Sequence, residues 1–221
     1  MGSAVEKLRQ RNLGTRELSP ALPGFDHINR YWDRHHATIA AKILPGEYYV
    51  TTADEVVVTV LGSCVSACVR DPLFGIGGMN HFMLPDGAQA TTSISASDLS
   101  AATRYGNVAM EHLINGLIKH GGRREFLEVK IVGGGQVIDG MTDVGARNIS
   151  FVRDYLSVEG MAISGEDVGG GFPRKVYYNP RTGKVKVKLL KTSHNDTLVE
   201  RESAYRQQLT TKPEAGDVEL F

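Results

Sequence analysis

Apolar positions change their period several times between residues 44 and 191. Tyr48-Tyr49-Val50 and Val56-Val57-Val58-Thr59-Val60-Leu61 are β-branched and aromatic-rich, the composition of strands. Gly62 interrupts, and Cys64-Val65-Ser66-Ala67-Cys68-Val69 follows as another buried strand. Asp71-Pro72 ends it, because proline cannot continue an inner ladder. Ile76 to Leu84 is a third apolar stretch, and the small polar residues 86–97 read as a surface loop. The period then becomes helical. Met110, Leu113, Ile114, Leu117 and Ile118 fall on one face of a helix from about Leu99 to His120, capped by Ser97 or Asp98 and ended by Gly121-Gly122. Leu127 to Val132 is strand-like, and Gly133-Gly134-Gly135 forces a loop. A second helix, from about Ala146 to Ser157, buries Ile149, Val152 and Leu156. Met161–Ile163, Arg174–Tyr178 and Lys184–Leu190 read as further strands, the last two joined by the turn Asn179-Pro180-Arg181-Thr182-Gly183.

The first strands are consecutive and the helices come later, which argues for a mixed α+β fold over strict βαβ alternation. The pattern divides the chain into three parts. Residues 1–43 are polar, contain Pro20 and Pro23, and read as a partly flexible N-terminal arm with a short helix near Trp32. Residues 44–191 carry the core, and residues 192–221 read as a polar C-terminal tail.

Charge and cysteine content narrow the functional classes. Lys plus Arg and Asp plus Glu both total 25, so formal net charge is zero, and the basic residues are scattered rather than gathered in the stripe typical of nucleic-acid domains. No apolar run approaches the roughly 20 residues needed to cross a bilayer, and no apolar segment follows the first residues. The expectation is a cytoplasmic protein without nucleic-acid binding or membrane insertion. The two cysteines, Cys64 and Cys68, would stand about 13 Å apart on a continuous strand, too far for a disulfide. Cys64, Cys68 and His81 would supply only three metal ligands, at a spacing unlike common zinc motifs, so no metal is expected. Gly133-Gly134-Gly135 lacks the Gly-Lys-Ser/Thr continuation of a phosphate loop and suggests close packing near a site.

One arrangement carries chemistry. Thr59-Val60-Leu61-Gly62-Ser63-Cys64 joins two apolar strands at a small-residue kink, where a nucleophile is exposed while its neighbours stay buried. Backbone N–H groups near Cys64 could serve as an oxyanion hole. If the flanking strands are neighbours, His81 returns beside Cys64 and lowers the thiol pKa toward neutrality. Thr59, on the strand feeding the nucleophile, is a candidate to orient the imidazole. Ser63 and Asn80 flank these groups and could touch substrate or equally satisfy backbone groups. From spacing alone the signal is weak, since a buried cysteine is more often a small core hydrophobe and a histidine in an apolar strand a satisfied core residue.

Three linked motifs sharpen it. Thr59-x-Leu61-Gly62-Ser63-Cys64-Val65, Cys68-x-x-Asp71-Pro72 and Gly77-Gly78-Met79-Asn80-His81-Phe82-Met83-Leu84-Pro85 together resemble the signature of the CheD family. The likeness continues through Val132-Gly133-Gly134, Gly145-Ala146-Arg147-Asn148 and Glu166-Asp167-Val168-Gly169-Gly170 to Arg181-Thr182-Gly183, covering roughly residues 45–191. The resemblance implies a chemoreceptor glutamine deamidase that converts selected glutamines of methyl-accepting chemotaxis proteins to glutamate. It implies a Cys–His–Thr triad at Cys64, His81 and Thr59, a thioester intermediate, and no cofactor. It implies a layered mixed-sheet sandwich flanked by helices, like the catalytic domain of cytotoxic necrotizing factors. Implied partners are chemoreceptor cytoplasmic domains and a CheC-type phosphatase. The rival expectation is a non-catalytic adaptor that binds receptors or such a phosphatase, and a more distant one is a thiol hydrolase of small amides or esters.

Overall fold

The computed structural model describes residues 18–85, 96–137, 144–191 and 196–211. Among the described residues ten strands form two five-stranded sheets. The first, sheet A, takes β1 (Asn29–Asp33), β2 (Thr38–Lys42), β4 (Glu55–Leu61), β9 (Arg174–Asn179) and β10 (Lys184–Leu189) in that spatial order. Sheet B runs β3 (Tyr48–Thr51), β6 (Ile76–Asn80), β5 (Val65–Asp71), β7 (Glu128–Gly133) and β8 (Ile163–Val168). Only β2–β4 and β7–β8 pair in parallel; the other neighbours are antiparallel. Three α-helices follow, α1 (Ala96–Lys119), α2 (Val144–Val158) and α3 (Asp196–Thr211), with a short 3₁₀ turn at Arg124–Phe126. The mixed α+β reading therefore holds.

Sheet B is the middle layer. Its central strands β5 and β6 are buried along almost their whole length, as expected where both faces of a sheet are covered. Helices α1 and α2 cover one face. On the other side, Lys130 of β7 donates to the Gly183 carbonyl (2.7 Å) and Arg70 of β5 to the Arg181 carbonyl (3.1 Å), tying sheet B to the β9–β10 turn of sheet A. Sheet A is an outer layer, and β9 alternates buried and half-buried positions accordingly. The apolar stripe of α1 enters the core through Met110, Leu113, Ile114 and Leu117, each contributing about 1.5–3 kcal/mol relative to exposure. Ile118, assigned to the same stripe from its spacing, is exposed at the rim.

Several sequence expectations are corrected. Trp32 lies in strand β1, not in a short helix, and residues 29–42 of the supposed arm form two paired strands of sheet A. Pairing supplies the backbone partners that the polar sequence Asn29-Arg30-Tyr31-Trp32-Asp33 does not advertise. Arg30 gains an ion pair with the buried Glu55. Helix α1 starts at Ala96, so Ser97 and Asp98 fall inside its first turn. The strand placed at Met161–Ile163 begins at Ile163 and runs to Val168 as the edge of sheet B, where Glu166 and Asp167 face solvent. The supposed polar tail contains α3, and that helix turns a buried side chain back into the domain. Residues 86–95 of the expected surface loop lie outside the described residues.

Candidate active site

The chain crosses from sheet A to sheet B at Gly62-Ser63-Cys64, between the end of β4 and the start of β5. Every carbonyl of this elbow is tied inward. Gly62 C=O accepts from Gly135 N–H and Cys64 C=O from Gly134 N–H, both at 2.7 Å. Ser63 C=O accepts from the Asn148 side-chain amide at 2.8 Å, while Asn148 Oδ1 accepts from Leu84 N–H at 2.9 Å. With the carbonyls occupied, the N–H groups of residues 62, 63 and 64 are free to converge on one anion. The approach of the glycine loop is what permits this. A Cβ on Gly133, whose φ is 110°, would stand 2.3 Å from the Cys64 carbonyl, and one on Gly145 would stand 2.5 Å from the Gly134 carbonyl. The expectation that residues 133–135 pack closely near the site is met in this way.

His81 follows directly after β6, anchored by its backbone N–H to Glu47 C=O (2.9 Å) and its carbonyl to Gly46 N–H (2.8 Å). Its Nδ1 lies 2.8 Å from Thr59 Oγ1. The Thr59 hydroxyl donates its single proton to the Ile43 carbonyl (2.9 Å), so toward His81 it accepts. That places the imidazole proton on Nδ1 and a lone pair on Nε2, which has no hydrogen-bond partner among the described residues. Burial pulls the His81 pKa down to about 4, against a smaller upward pull from the Glu202 carboxylate. At neutral pH the ring is an uncharged base.

The carboxylate filling the elbow belongs to Glu202 on α3. Its Oε1 accepts from Gly62 N–H (2.8 Å) and Cys64 N–H (3.3 Å), and its Oε2 from Ser63 N–H (2.9 Å) and Ser63 Oγ (2.7 Å). Cys64 is thereby fully buried, and burial together with the Glu202 charge pushes its thiol pKa well above the ordinary value. Two expectations change here. The cysteine is covered rather than exposed, and its thiol is raised rather than lowered, first because it is buried and then because the Glu202 anion adds to the effect. Beside it lies a cavity of about 210 Å³, lined among others by Ile43, Thr59, His81, Lys42, Lys175 and Glu202. A cavity of about 270 Å³ on sheet A, around His36, Tyr177 and Lys186, shares none of these lining residues.

The family model for CheD chemotactic sensory transduction matches residues 83–189. The chain is 54% identical over 211 residues to a probable chemoreceptor glutamine deamidase CheD of Halorhodospira halophila, covering 96% of this chain and 97% of the relative. It is 56% identical over 201 residues to the protein of that name from Hahella chejuensis (91% and 94% covered) and 57% identical over 196 residues to that of Herminiimonas arsenicoxydans (87% and 94%).

The chain belongs to the CheD family.

In this CheD chain the structure pairs Thr59 with His81, and the backbone N–H groups of Gly62, Ser63 and Cys64 meet Glu202, which lines the same cavity as Thr59 and His81. Asn80 departs from that group. Its Oδ1 accepts from Ala67 N–H (2.8 Å) and its amide donates to the Ala109 carbonyl (3.0 Å), so it clamps β5 and β6 to α1. Cys68 pairs with Met79 inside sheet B, is buried and free, and belongs to the core. Two residues of the site are not singled out by sequence reasoning. Asn148 lies in a stretch noted for its likeness to CheD, so its motif offers a signal without its role. Glu202 lies 138 residues from Cys64 in a polar stretch, and no local pattern marks it.

Proposed function

We propose that this chain is a protein-glutamine deamidase acting on chemoreceptors in the cytoplasm, with Cys64 as nucleophile, His81 as general base and acid, and Thr59 orienting the imidazole. The observation that carries the reading is the Thr59–His81 pair, which leaves Nε2 as the basic nitrogen, next to an elbow whose N–H groups already hold a carboxylate. A glutamine side chain is the neutral counterpart of that carboxylate.

The steps follow from the atoms present. His81 Nε2 takes the Cys64 thiol proton, and Sγ bonds to the amide carbon of the substrate. The oxygen that gains negative charge occupies the Oε1 position, within reach of Gly62 and Cys64 N–H. Protonated His81 passes its proton to the amide nitrogen, the C–N bond breaks, and ammonia leaves a thioester. Water then attacks the thioester with Nε2 as base, giving glutamate and the free thiol. No step calls for a metal or an organic cofactor. The ring is neutral at neutral pH, so its Nε2 lone pair is available to accept a proton.

Incubation with a chemoreceptor cytoplasmic fragment, followed by peptide mass spectrometry, tests the reading. Each converted glutamine gains about one mass unit as NH₂ is replaced by OH. Conversion by the wild type is the expected result. Absence of conversion at any receptor concentration, with receptor binding retained, would favour the adaptor reading instead, in which a CheC-type phosphatase is the other partner to test.

A further inference from the structure

Helix α3 is an unusual neighbour for a nucleophile. Among its described side chains only Glu202 is buried; Leu198, Ser203, Tyr205, Arg206 and Leu209 are half-buried, and the others are exposed. Its one buried anchor among the described side chains is a carboxylate with four donors in the elbow, and Tyr205 meets Gly46 and hydrogen-bonds the Tyr105 hydroxyl of α1. An isolated buried carboxylate is costly unless fully hydrogen-bonded, and these donors meet that need. They are also the donors that the proposed reaction requires for its oxyanion. Both carboxylate oxygens face N–H groups. An amide NH₂ placed at Oε2 would meet the Ser63 N–H donor to donor, so the elbow in this arrangement fits a glutamate side chain better than a glutamine.

We propose that α3 is a tethered product analogue: Glu202 occupies the glutamyl subsite of the deamidase, and the helix must leave before a glutamine borne on a partner helix can enter along the same groove. The proposal rests on the deamidase reading for the identity of the subsite, but the covering of Cys64 by α3 stands on the contacts alone. Electrostatics act in the same direction as the steric block. While Glu202 is in place, its charge opposes thiolate formation at Cys64, so the covered enzyme is switched off chemically as well as closed. Departure of the helix removes both effects and opens the N–H groups to a neutral amide. The arrangement also defines what enters: a side chain of glutamine length, projecting from a helix, with its backbone lying between Gly46 and the cavity beside His81.

The test uses the full-length chain in three variant forms and two readouts. The rate at which iodoacetamide alkylates Cys64 reports the cover and does not depend on any deamidase activity. In Glu202→Ala it should rise about tenfold or more, the factor that one charge-assisted hydrogen bond is worth, while Cys68 stays unreactive. An unchanged Cys64 rate in a folded Glu202→Ala protein would overturn the proposal. The second variant, Glu202→Gln, makes the helix its own substrate. Cys64 Sγ attacks the side-chain amide carbon introduced at position 202, ammonia leaves with the proton carried by His81, and water returns glutamate at that position. Peptide mass spectrometry should find glutamate at 202 in the purified variant and an intact amide there in Glu202→Gln/Cys64→Ser. An intact amide at 202 in an enzyme that still converts receptor glutamines would sink the subsite assignment. Faster alkylation with no conversion anywhere would leave the cover in place and remove the deamidase reading beneath it.

Discussion

The elbow that carries Cys64 and the helix that covers it are held in opposite ways. The elbow is fixed from behind. Three consecutive carbonyls are bonded to Gly135, Asn148 and Gly134, and two glycines leave no space for a Cβ. Helix α3 meets the elbow from the front, with Glu202 the one buried side chain among its described residues and the others half-buried or exposed. In the proposed reaction these donors serve developing charge, and a rigid scaffold spares them reorganisation when charge appears. A group that occupies them between turnovers has to be removable, and a helix with one buried anchor meets that condition.

Four perturbations probe this difference between a rigid elbow and a removable cover, and the most drastic acts on the sulfur. Cys64→Ala should lower receptor deamidation by on the order of 10³-fold or more, with unfolding by urea little changed, because only the sulfur is lost from a packed site. Loss of activity accompanied by collapse of the fold would mean that the thiol serves the core.

The next effect is one of pH. His81 titrates near 4 in the folded chain against an ordinary value of 6.5, so on acidification the unfolded chain takes up the proton first. Stability should be unaffected by this group above pH 6.5 and should fall as pH drops from there toward 4, by up to about 3 kcal/mol. Denaturant titrations across that range should show the loss in the wild type and a smaller one in His81→Asn.

Gly145→Ala comes third, with a cost of about 1–3 kcal/mol in urea unfolding, because its Cβ meets a backbone carbonyl that cannot swing aside. A neutral result would mean that the elbow is less rigid than its contacts imply. Thr59→Val is the smallest. It removes the acceptor on Nδ1 at nearly constant shape, and kcat should fall about tenfold with KM little changed, since Thr59 orients the base and does not meet substrate.

Elbow and cover are not equally legible in the sequence. The strands bracketing the elbow announce themselves through β-branched runs, and Gly62 and the triglycine announce the sharp passage between them. Thr59 and His81 can therefore be expected to meet without coordinates, helped by motifs that occur in order. The N-terminal strands stay hidden because Asn29–Asp33 is polar at an edge and Thr38–Lys42 contains two alanines, so neither carries the alternation that marks a half-buried strand. Glu202 stays hidden for a deeper reason. Its burial is decided by three N–H groups 138 to 140 positions away, and a glutamate on a polar helix looks the same in sequence whether it meets water or an oxyanion hole. Part of the raised thiol pKa is hidden with it, since the anion that adds to the effect of burial comes from that same distant residue.

The proposed catalysis requires Cys64 to take an acyl group from a glutamine side chain, and acid-quenched mass spectrometry of the protein during turnover on a glutamine-bearing receptor peptide looks for that group. An adduct on the Cys64 peptide weighing the substrate less ammonia is expected, and none in Cys64→Ala. Undiminished glutamate formation by Cys64→Ala, with no acyl group ever found on the wild-type cysteine, would contradict it.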